Sequence, residues 1–226
     1  MPDTFNMPTP PHFRGLHPDL PIRCYHRHLP HWRQDDATYF VTFRLADSIP
    51  QAQLQALKRW RTIWEQQHPE PRSEKQWKEL AQEITAKTER WLDEGYGECL
   101  LGNPDAAKLM AESLQKFQDI QYQSFCFVVM PNHVHWVVKP FTGFELETIL
   151  QNAKGYVSRQ LNKRLGRGGS NWEEESYDSI IREDEHLWQV VQYIGRNPTK
   201  ARLSSQQFSL WLHPEWDRAG WKFQAA

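Results

Sequence analysis

Residues 122–138 read YQSFCFVVMPNHVHWVV, and this stretch decides the fold class. Aromatic and β-branched residues fill 122–129 and again 133–138, which is typical of two buried strands. Met130, Pro131 and Asn132 stand between them and form a turn signal. The stretch therefore predicts two neighbouring strands joined by a short turn.

Elements on both sides extend this pair of strands into a mixed fold. The run TYFVTFRL at 38–45 predicts an earlier strand, and two helical patterns follow it. A helix is predicted at 143–165, and a last helix near His186–Gly195 is expected to stop at Asn197-Pro198. The order of these elements predicts an α+β fold, with helices on one face of a mainly antiparallel sheet.

The chain is predicted to have three segments. Residues 1–33 are rich in proline, which predicts an irregular N-terminal arm, either a flexible tail or an arm that grips nucleic acid. Residues 34–203 form the main domain, with an inserted helical hairpin at about 50–94, and 204–226 form a C-terminal tail.

The composition excludes several classes of protein. The 226 residues carry 27 Lys+Arg and 28 Asp+Glu, so the net charge of −1 provides no global basic field. Three separated cysteines exclude a disulfide framework, and no apolar run predicts a membrane span or a signal peptide. Neither glycine-rich phosphate-binding motif is present, so no nucleotide cofactor is expected. We expect a cytoplasmic protein without a membrane partner.

His133 and His135 are the first candidate site residues. They lie two positions apart on a predicted strand, so both imidazoles project from the same face. Neutral imidazoles on one face are suitable ligands for a divalent cation. The alternative is that both rings are hydrogen-bonded at the sheet surface without a metal.

The predicted helix 143–165 supplies further candidates. Tyr156 and Gln160 are four residues apart and share a helix face, and the amide oxygen of Gln160 is a suitable third ligand for Mg²⁺ or Mn²⁺. Five cations and no carboxylate lie between Thr148 and Trp172, which indicates a phosphate-tracking surface or, alternatively, a solvated helix face. These cations are Lys154, Arg159, Lys163, Arg164 and Arg167.

The segment Val129–His135, reading VMPNHVH, resembles the His-hydrophobe-His signature of the HUH single-tyrosine transposases, and within them the REP-associated branch. The similarity extends over roughly residues 30–203. Further matching pieces follow in the same order: Trp91-Leu92-Asp93, Lys154-Gly155-Tyr156, Trp172-Glu173, Tyr177-Asp178, Ile181-Arg182-Glu183, and Tyr193-Ile194 with Asn197-Pro198.

The resemblance implies a ferredoxin-like sheet and a metal-dependent endonuclease and strand transferase. Its substrate would be single-stranded DNA that carries REP-like hairpins. Tyr156 would attack the scissile phosphate, form a 5′-phosphotyrosine and release a 3′-hydroxyl. His133, His135 and Gln160 would hold Mg²⁺ or Mn²⁺, and the protein would act as a monomer or a homodimer.

Two other functions stay open at this stage. A domesticated protein could bind chromosomal hairpins and cut them little or not at all. A metallohydrolase could use His133 and His135 as zinc ligands, although the sequence offers no obvious set of side chains to complete such a site.

Overall fold

The computed structural model of the protein describes residues 6–26 and 30–224. The strands are β1 (Arg23–His26), β2 (Pro30–Arg33), β3 (Tyr39–Arg44), β4 (Tyr122–Val129), β5 (His133–Pro140), β6 (Tyr177–Ile180) and β7 (Ser209–Leu212). The helices are α1 (Gln51–Gln67), α2 (Glu74–Asp93), α3 (Pro104–Gln115), α4 (Leu146–Leu165), α5 (Asp184–Lys200) and α6 (Pro214–Arg218).

The central sheet has the strand order β6-β3-β5-β4-β7, and every neighbouring pair is antiparallel. Taken in chain order, β3, β4, β5 and β6 are the first to fourth strands, so they lie in the order fourth, first, third, second. This is the arrangement of a ferredoxin-like fold with β7 added at one edge. The predicted α+β class and the predicted strand pair are therefore confirmed.

The two faces of the sheet are covered by different helices. Val134 and Trp136 of β5 point to a core that includes residues of α3 and α4. Val137, one residue further along, points to a second core with residues of α5. The helices α3 and α4 share one face, as the sequence predicts, and α5 covers the other face.

Helix α5 extends further than the sequence predicts, because it runs through Asn197 and Pro198 to Lys200. A proline in a helix has no N–H to donate to the carbonyl four residues earlier. Pro198 lies in the last turn, where this omission removes a single helical hydrogen bond. As a result, Tyr193 and Asn197 belong to the same helix and lie one turn apart.

Helices α1 and α2 form the predicted inserted hairpin. The side chain of Ser73 accepts from the backbone N–H of Gln76, and Gln76 bonds back to Ser73, which forms a capping box at the start of α2. Leu80, Ile84 and Leu92 are the buried residues of α2. The hairpin is therefore attached to the domain mainly through one stripe of α2.

The sequence predicts an irregular arm at 1–33. Part of this arm is regular, because β1 and β2 pair within it. Its proline-rich part packs on the C-terminal tail, where Trp216 Nε1 donates to the Pro11 carbonyl at 2.9 Å. Residues 1–5 and 27–29 of the arm, like the tail residues 225 and 226, lie outside the described ranges. No helix in the described ranges is long and apolar enough to cross a membrane.

A buried ionic network joins β2 to β6. His31 Nδ1 lies 2.6 Å from Asp178 Oδ2, and the guanidinium of Arg33 contacts both oxygens of the same carboxylate. Burial by itself would lower the pKa of His31, but hydrogen bonds to Asp178 and Glu175 outweigh it and raise this pKa to about 9. His31 is therefore a charged partner of Asp178 at neutral pH.

This network predicts a loss of stability at alkaline pH. The pKa of His31 is higher in the folded protein than the ordinary value of 6.5, so its contribution is complete below about pH 6.5 and is lost as pH rises through about 9. We expect the free energy of unfolding to fall by about 2 kcal/mol between pH 6.5 and 9.5. Urea unfolding at both pH values measures this free energy. If a His31→Gln variant showed the same fall between the two pH values, the fall would not arise from His31.

Candidate functional site

The two imidazoles at the start of β5 lie in contact. His133 Nε2 and His135 Nε2 are 3.1 Å apart, and both side chains are buried on the α5 face of the sheet. His135 also stacks on Phe40 of β3, with ring centroids 5.5 Å apart. The strand period therefore brings the pair together as the sequence predicts.

The outer nitrogens of both rings are held by polar side chains. His133 Nδ1 lies 2.8 Å from Asn132 Oδ1, and Asn132 Nδ2 donates to the carbonyls of Leu92 and Tyr96. Since the amide oxygen only accepts, Nδ1 of His133 carries the proton and its Nε2 presents a lone pair. His135 Nδ1 lies 2.8 Å from Thr42 Oγ1, and this hydroxyl can donate or accept. Both Nε2 atoms can therefore act as ligands.

Both imidazoles are neutral. Burial lowers the pKa of His133 to about 3, contact with Asn197 opposes the shift, and the charge of Lys200 adds to it. Burial also lowers the pKa of His135 far below its ordinary value, and His133 and Lys200 act in the same direction. Neutral imidazole is the form that binds metal ions.

Helix α5 brings a phenol and an amide to the histidine pair. Tyr193 Oη lies 3.4 Å from His135 Nε2, and the two ring centroids are 5.1 Å apart. Asn197, one turn later, is buried beside His133, and its Oδ1 makes no hydrogen bond of normal geometry in the described part of the chain. The site thus combines two imidazoles, one phenol and one unpaired amide oxygen.

Helix α2 brings carboxylates to the same place. Glu89 Oε2 lies 3.9 Å from His135 Nε2, and burial raises the pKa of Glu89 to about 8, with Asp93 adding to the shift and Lys200 opposing it. Asp93 forms an ion pair with Lys200 of α5 at 2.6 Å. Both α2 and α5 therefore close over the histidine pair.

Tyr156 and Gln160 do not reach this site. Helix α4 packs on the opposite face of the sheet, where Tyr156 lies against the core that contains Val134 and Trp136. The Nζ atom of Lys116 lies 5.0 Å from the centre of the Tyr156 ring. Tyr156 and Gln160 therefore do not join the histidine pair within one chain, because the sheet separates them, and their catalytic and metal-binding roles stay a prediction.

The five predicted DNA-binding cations follow α4 and its C-terminal end, also away from the histidine pair. Lys154 Nζ donates to the carbonyl of Glu173 at 2.7 Å, and Arg167 forms an ion pair with Glu98 at 2.7 Å. The side chains of Arg159, Lys163 and Arg164 are exposed. Part of the set thus has structural partners, and the DNA-binding role of the set stays a prediction.

The residues around the histidine pair fit a divalent cation. Ligand nitrogens lie about 2.0–2.1 Å from a bound transition metal, so two adjacent ligands of one ion are roughly 3 Å apart. The two Nε2 atoms meet this condition, and the buried unpaired oxygen of Asn197 provides a third donor. Within the described ranges, no three His, Cys, Asp or Glu side chains are placed to hold a metal ion, so a third ligand beside the two imidazoles would have to be another group, such as the amide of Asn197.

Comparison with known proteins shows that the segment around this site is similar to one family. Residues 101–197 match the sequence model of the family described as "Transposase IS200 like". The matched segment covers less than half of the chain. It contains the histidine pair, Tyr193 and Asn197, together with Tyr156 and Gln160, whereas α1 and α2 lie outside the matched residues.

Other comparisons add little to the family match. One solved structure, described as a REP-associated tyrosine transposase bound to a REP hairpin, is 15% identical with a TM-score of 0.41. The alignment covers 78% of this chain and 72% of that one. No curated protein matches the chain.

A cavity of about 470 Å³ opens beside the site, along α5. Tyr193 and Asn197 line its inner part, and Arg196 and Lys200 line it toward solvent. An extended, negatively charged strand would meet cationic side chains there before it reaches the phenol.

No site role was predicted for Tyr193, Asn197 or Glu89, although the pieces that resemble the family include Tyr193-Ile194 and Asn197-Pro198. A signal for the first two was available, because Tyr193 and Asn197 have the same spacing as Tyr156 and Gln160, a tyrosine followed four residues later by a carboxamide. The expected stop at Asn197-Pro198 hid this second pair, since it placed the two residues in different elements. Glu89 gave no comparable signal, because it is one of several charged residues on an amphipathic helix.

Proposed function

We propose that the protein is a metal-dependent nuclease and strand transferase for single-stranded DNA, and that Tyr193 is its nucleophile. One observation carries the proposal: Tyr193 Oη lies 3.4 Å from a buried, neutral imidazole pair, beside an unpaired amide oxygen. The match of residues 101–197 to the sequence model of the IS200-like transposases supports the same chemistry.

His133, His135 and Asn197 are the residues that would hold Mg²⁺ or Mn²⁺. Two neutral nitrogens and one amide oxygen leave further coordination positions for phosphate oxygens. A bound divalent cation supplies Lewis-acid stabilisation of the negative charge that develops on the phosphate. Asn132 and Thr42 orient the two rings from behind, as outer-shell partners do at metal sites.

Tyr193 would perform a transesterification. Its phenolic oxygen forms a bond to the scissile phosphorus and loses its proton, while the bond from phosphorus to the 3′-oxygen breaks and that oxygen gains a proton. The products are a 5′-phosphotyrosine and a free 3′-hydroxyl. One phosphodiester replaces another, so the step needs no nucleotide cofactor and its reversal rejoins strands.

The side chains around the cavity along α5 support binding of a single strand. Arg196 and Lys200 would contact phosphates close to the scissile bond. The cations on α4 and in the following loop lie on the opposite face, so we assign them to phosphates remote from the cut, such as those of a hairpin stem.

The alternative of a hairpin-binding protein without cleavage is less well supported. A protein that only binds DNA has no use for a phenol and an unpaired amide oxygen beside two neutral imidazoles. Such buried polar atoms lower stability when they stay unpaired, by about 1–3 kcal/mol each.

Incubation with hairpin-bearing single-stranded oligonucleotides and Mn²⁺ or Mg²⁺ tests the proposal. We expect strand cleavage that EDTA prevents, with the protein linked to the 5′ end of the downstream fragment and a free 3′-hydroxyl on the other. Hairpin binding without cleavage at any concentration of either metal would instead support the binding protein.

A further inference from the structure

We propose that the cavity between the inserted hairpin and the sheet binds one unpaired nucleobase of the DNA strand, close to the scissile phosphate. This inference rests on the proposed function, and it deepens it by naming the part of the substrate that the hairpin would hold. Helices α1 and α2 lie outside the segment that matches the transposase sequence model, so that match does not assign this surface.

This hairpin cavity has a volume of about 610 Å³ and lies between α1 and α2 on one side and β3 and β6 on the other. It reaches the histidine pair, because Thr42 and Glu89 line it and approach His135, at 2.8 Å from Nδ1 and 3.9 Å from Nε2. Tyr193 lines the other cavity, along α5, and also contacts His135. A strand that crosses the histidine pair from the α5 side therefore meets the hairpin cavity next.

Tyr177, at the start of β6, gives the hairpin cavity an aromatic wall. It is paired with Thr42 of β3, so both side chains lie on the face of the sheet that carries His135. A hydrogen bond between its hydroxyl and Thr85 of α2 fixes the ring. An aromatic ring together with aliphatic side chains is a surface on which an unpaired base stacks. The aliphatic lining comes from both helices of the hairpin: Leu54, Leu57, Ile84 and Leu92.

The charges of the hairpin cavity do not favour a phosphate inside it. Arg44 pairs with Glu173 at 2.9 Å, and Arg61 pairs with Glu65 at 2.7 Å. A phosphate would gain little from cations that carboxylates already neutralise, whereas the uncharged ring of a base needs no counter-charge. In all, three cationic and four acidic side chains line the cavity: Arg44, Lys58, Arg61, Glu65, Glu89, Glu173 and Glu175.

Lys58 would contact the phosphate that follows the inserted base. Its side chain is exposed on α1 and lines the cavity toward solvent. The base would then lie inside the cavity while the charged backbone stays at its rim. A base in single-stranded DNA leaves its stack at little energetic cost, and stacking on an aromatic ring accepts any base. The cavity is therefore expected to require a base at one position of the strand without selecting its type.

Binding of hairpin-bearing oligonucleotides with single-stranded flanks, measured in EDTA so that no cleavage occurs, tests the proposal. An abasic site is moved along the flank one position at a time. We expect a position at which loss of the base weakens binding about tenfold, while exchange among the four bases there changes the affinity by less than about threefold. Equal affinity for all the abasic oligonucleotides would overturn the proposal.

Variants of Tyr177 connect this position of the strand to the cavity. Tyr177→Leu should weaken binding of the intact strand about tenfold and leave binding of the abasic strand unchanged, whereas Tyr177→Phe keeps the ring and should bind as the wild type does. The matched control is Trp60→Leu, because this ring of the hairpin lies outside the cavity, 5.0 Å from Lys87 Nζ. If Tyr177→Leu still distinguished the intact from the abasic strand by the wild-type factor, the proposal would be wrong.

A photochemical cross-link uses only the wild-type chain and serves even if Tyr177→Leu does not fold. With 5-iodouracil at the sensitive position, we expect the cross-link on Tyr177, in the tryptic peptide of residues 168–182. A cross-link located only on residues outside the hairpin cavity would overturn the proposal.

The two levels of the account fail in different ways. Oligonucleotides that are bound and cut, but without any effect of an abasic site, would overturn only the base-binding cavity. A base effect at Tyr177 without cleavage in Mn²⁺ or Mg²⁺ would support the cavity and overturn the nuclease. A chain that binds no hairpin-bearing strand would overturn both.

Discussion

Replacing Tyr193 by phenylalanine is expected to abolish the covalent protein–DNA product and to lower the rate of strand cleavage by at least about 10³-fold. The substitution removes only the hydroxyl that lies 3.4 Å from His135 Nε2 and keeps the ring that packs against Phe40. The fold and the hairpin affinity should therefore stay close to those of the wild type. Gel analysis of labelled oligonucleotides measures the covalent product, the cleavage rate and the hairpin affinity. Denaturation of the protein checks that the variant keeps the fold.

The matched control is Tyr156→Phe, which removes a hydroxyl from α4 on the opposite face of the sheet. We expect its cleavage rate to stay within about threefold of the wild type, since no reacting group is lost. The reverse result, an inactive Tyr156→Phe with an active Tyr193→Phe, would contradict our assignment of the nucleophile.

Removal of a metal-binding imidazole is expected to have an effect of similar size. His135→Ala takes away one of two nitrogens that lie 3.1 Å apart, so we expect Mn²⁺ affinity to fall at least about 100-fold and cleavage to be lost. Chelation of the metal from the wild-type protein should give the same loss, reversed by added Mn²⁺. Calorimetry and the cleavage assay measure the two effects.

Comparison of His135→Ala with a milder variant and a control tests whether the loss of cleavage arises from weaker metal binding. Thr42→Val keeps the shape of the side chain but removes the hydroxyl that holds His135 Nδ1, and a loss of about 10- to 100-fold in affinity is expected. His12→Ala is the control, because this imidazole is exposed and lies beside Glu215. Cleavage by His135→Ala at the wild-type rate would show that the imidazole pair has another role.

Most of the fold could be predicted because local signals agree with the final structure. The strand at Tyr122–Val129 has the bounds that its aromatic and β-branched run indicates, and the alternation of His133 and His135 places both rings on one face. Sequence periodicity reports which residues share a face of an element. It does not report which face of the sheet a later helix will cover.

That missing information explains why the sequence grouped Tyr156, and not Tyr193, with the histidine pair. The chain holds two helical pairs with the same spacing, Tyr156 with Gln160 and Tyr193 with Asn197, and local chemistry does not distinguish them. The crossing of the chain from one face of the sheet to the other decides between them, because α4 covers one face and α5 the other. Pro198 concealed the pair on α5 by suggesting that the helix ends before Asn197.

Identification of the residue that carries the DNA after cleavage tests the central claim most directly. The covalent product is digested with trypsin and nuclease, and mass spectrometry locates the phosphonucleotide remnant. Our account predicts the remnant on the peptide of residues 183–196, which contains Tyr193. A remnant on the peptide of residues 155–159, which contains Tyr156, would contradict it.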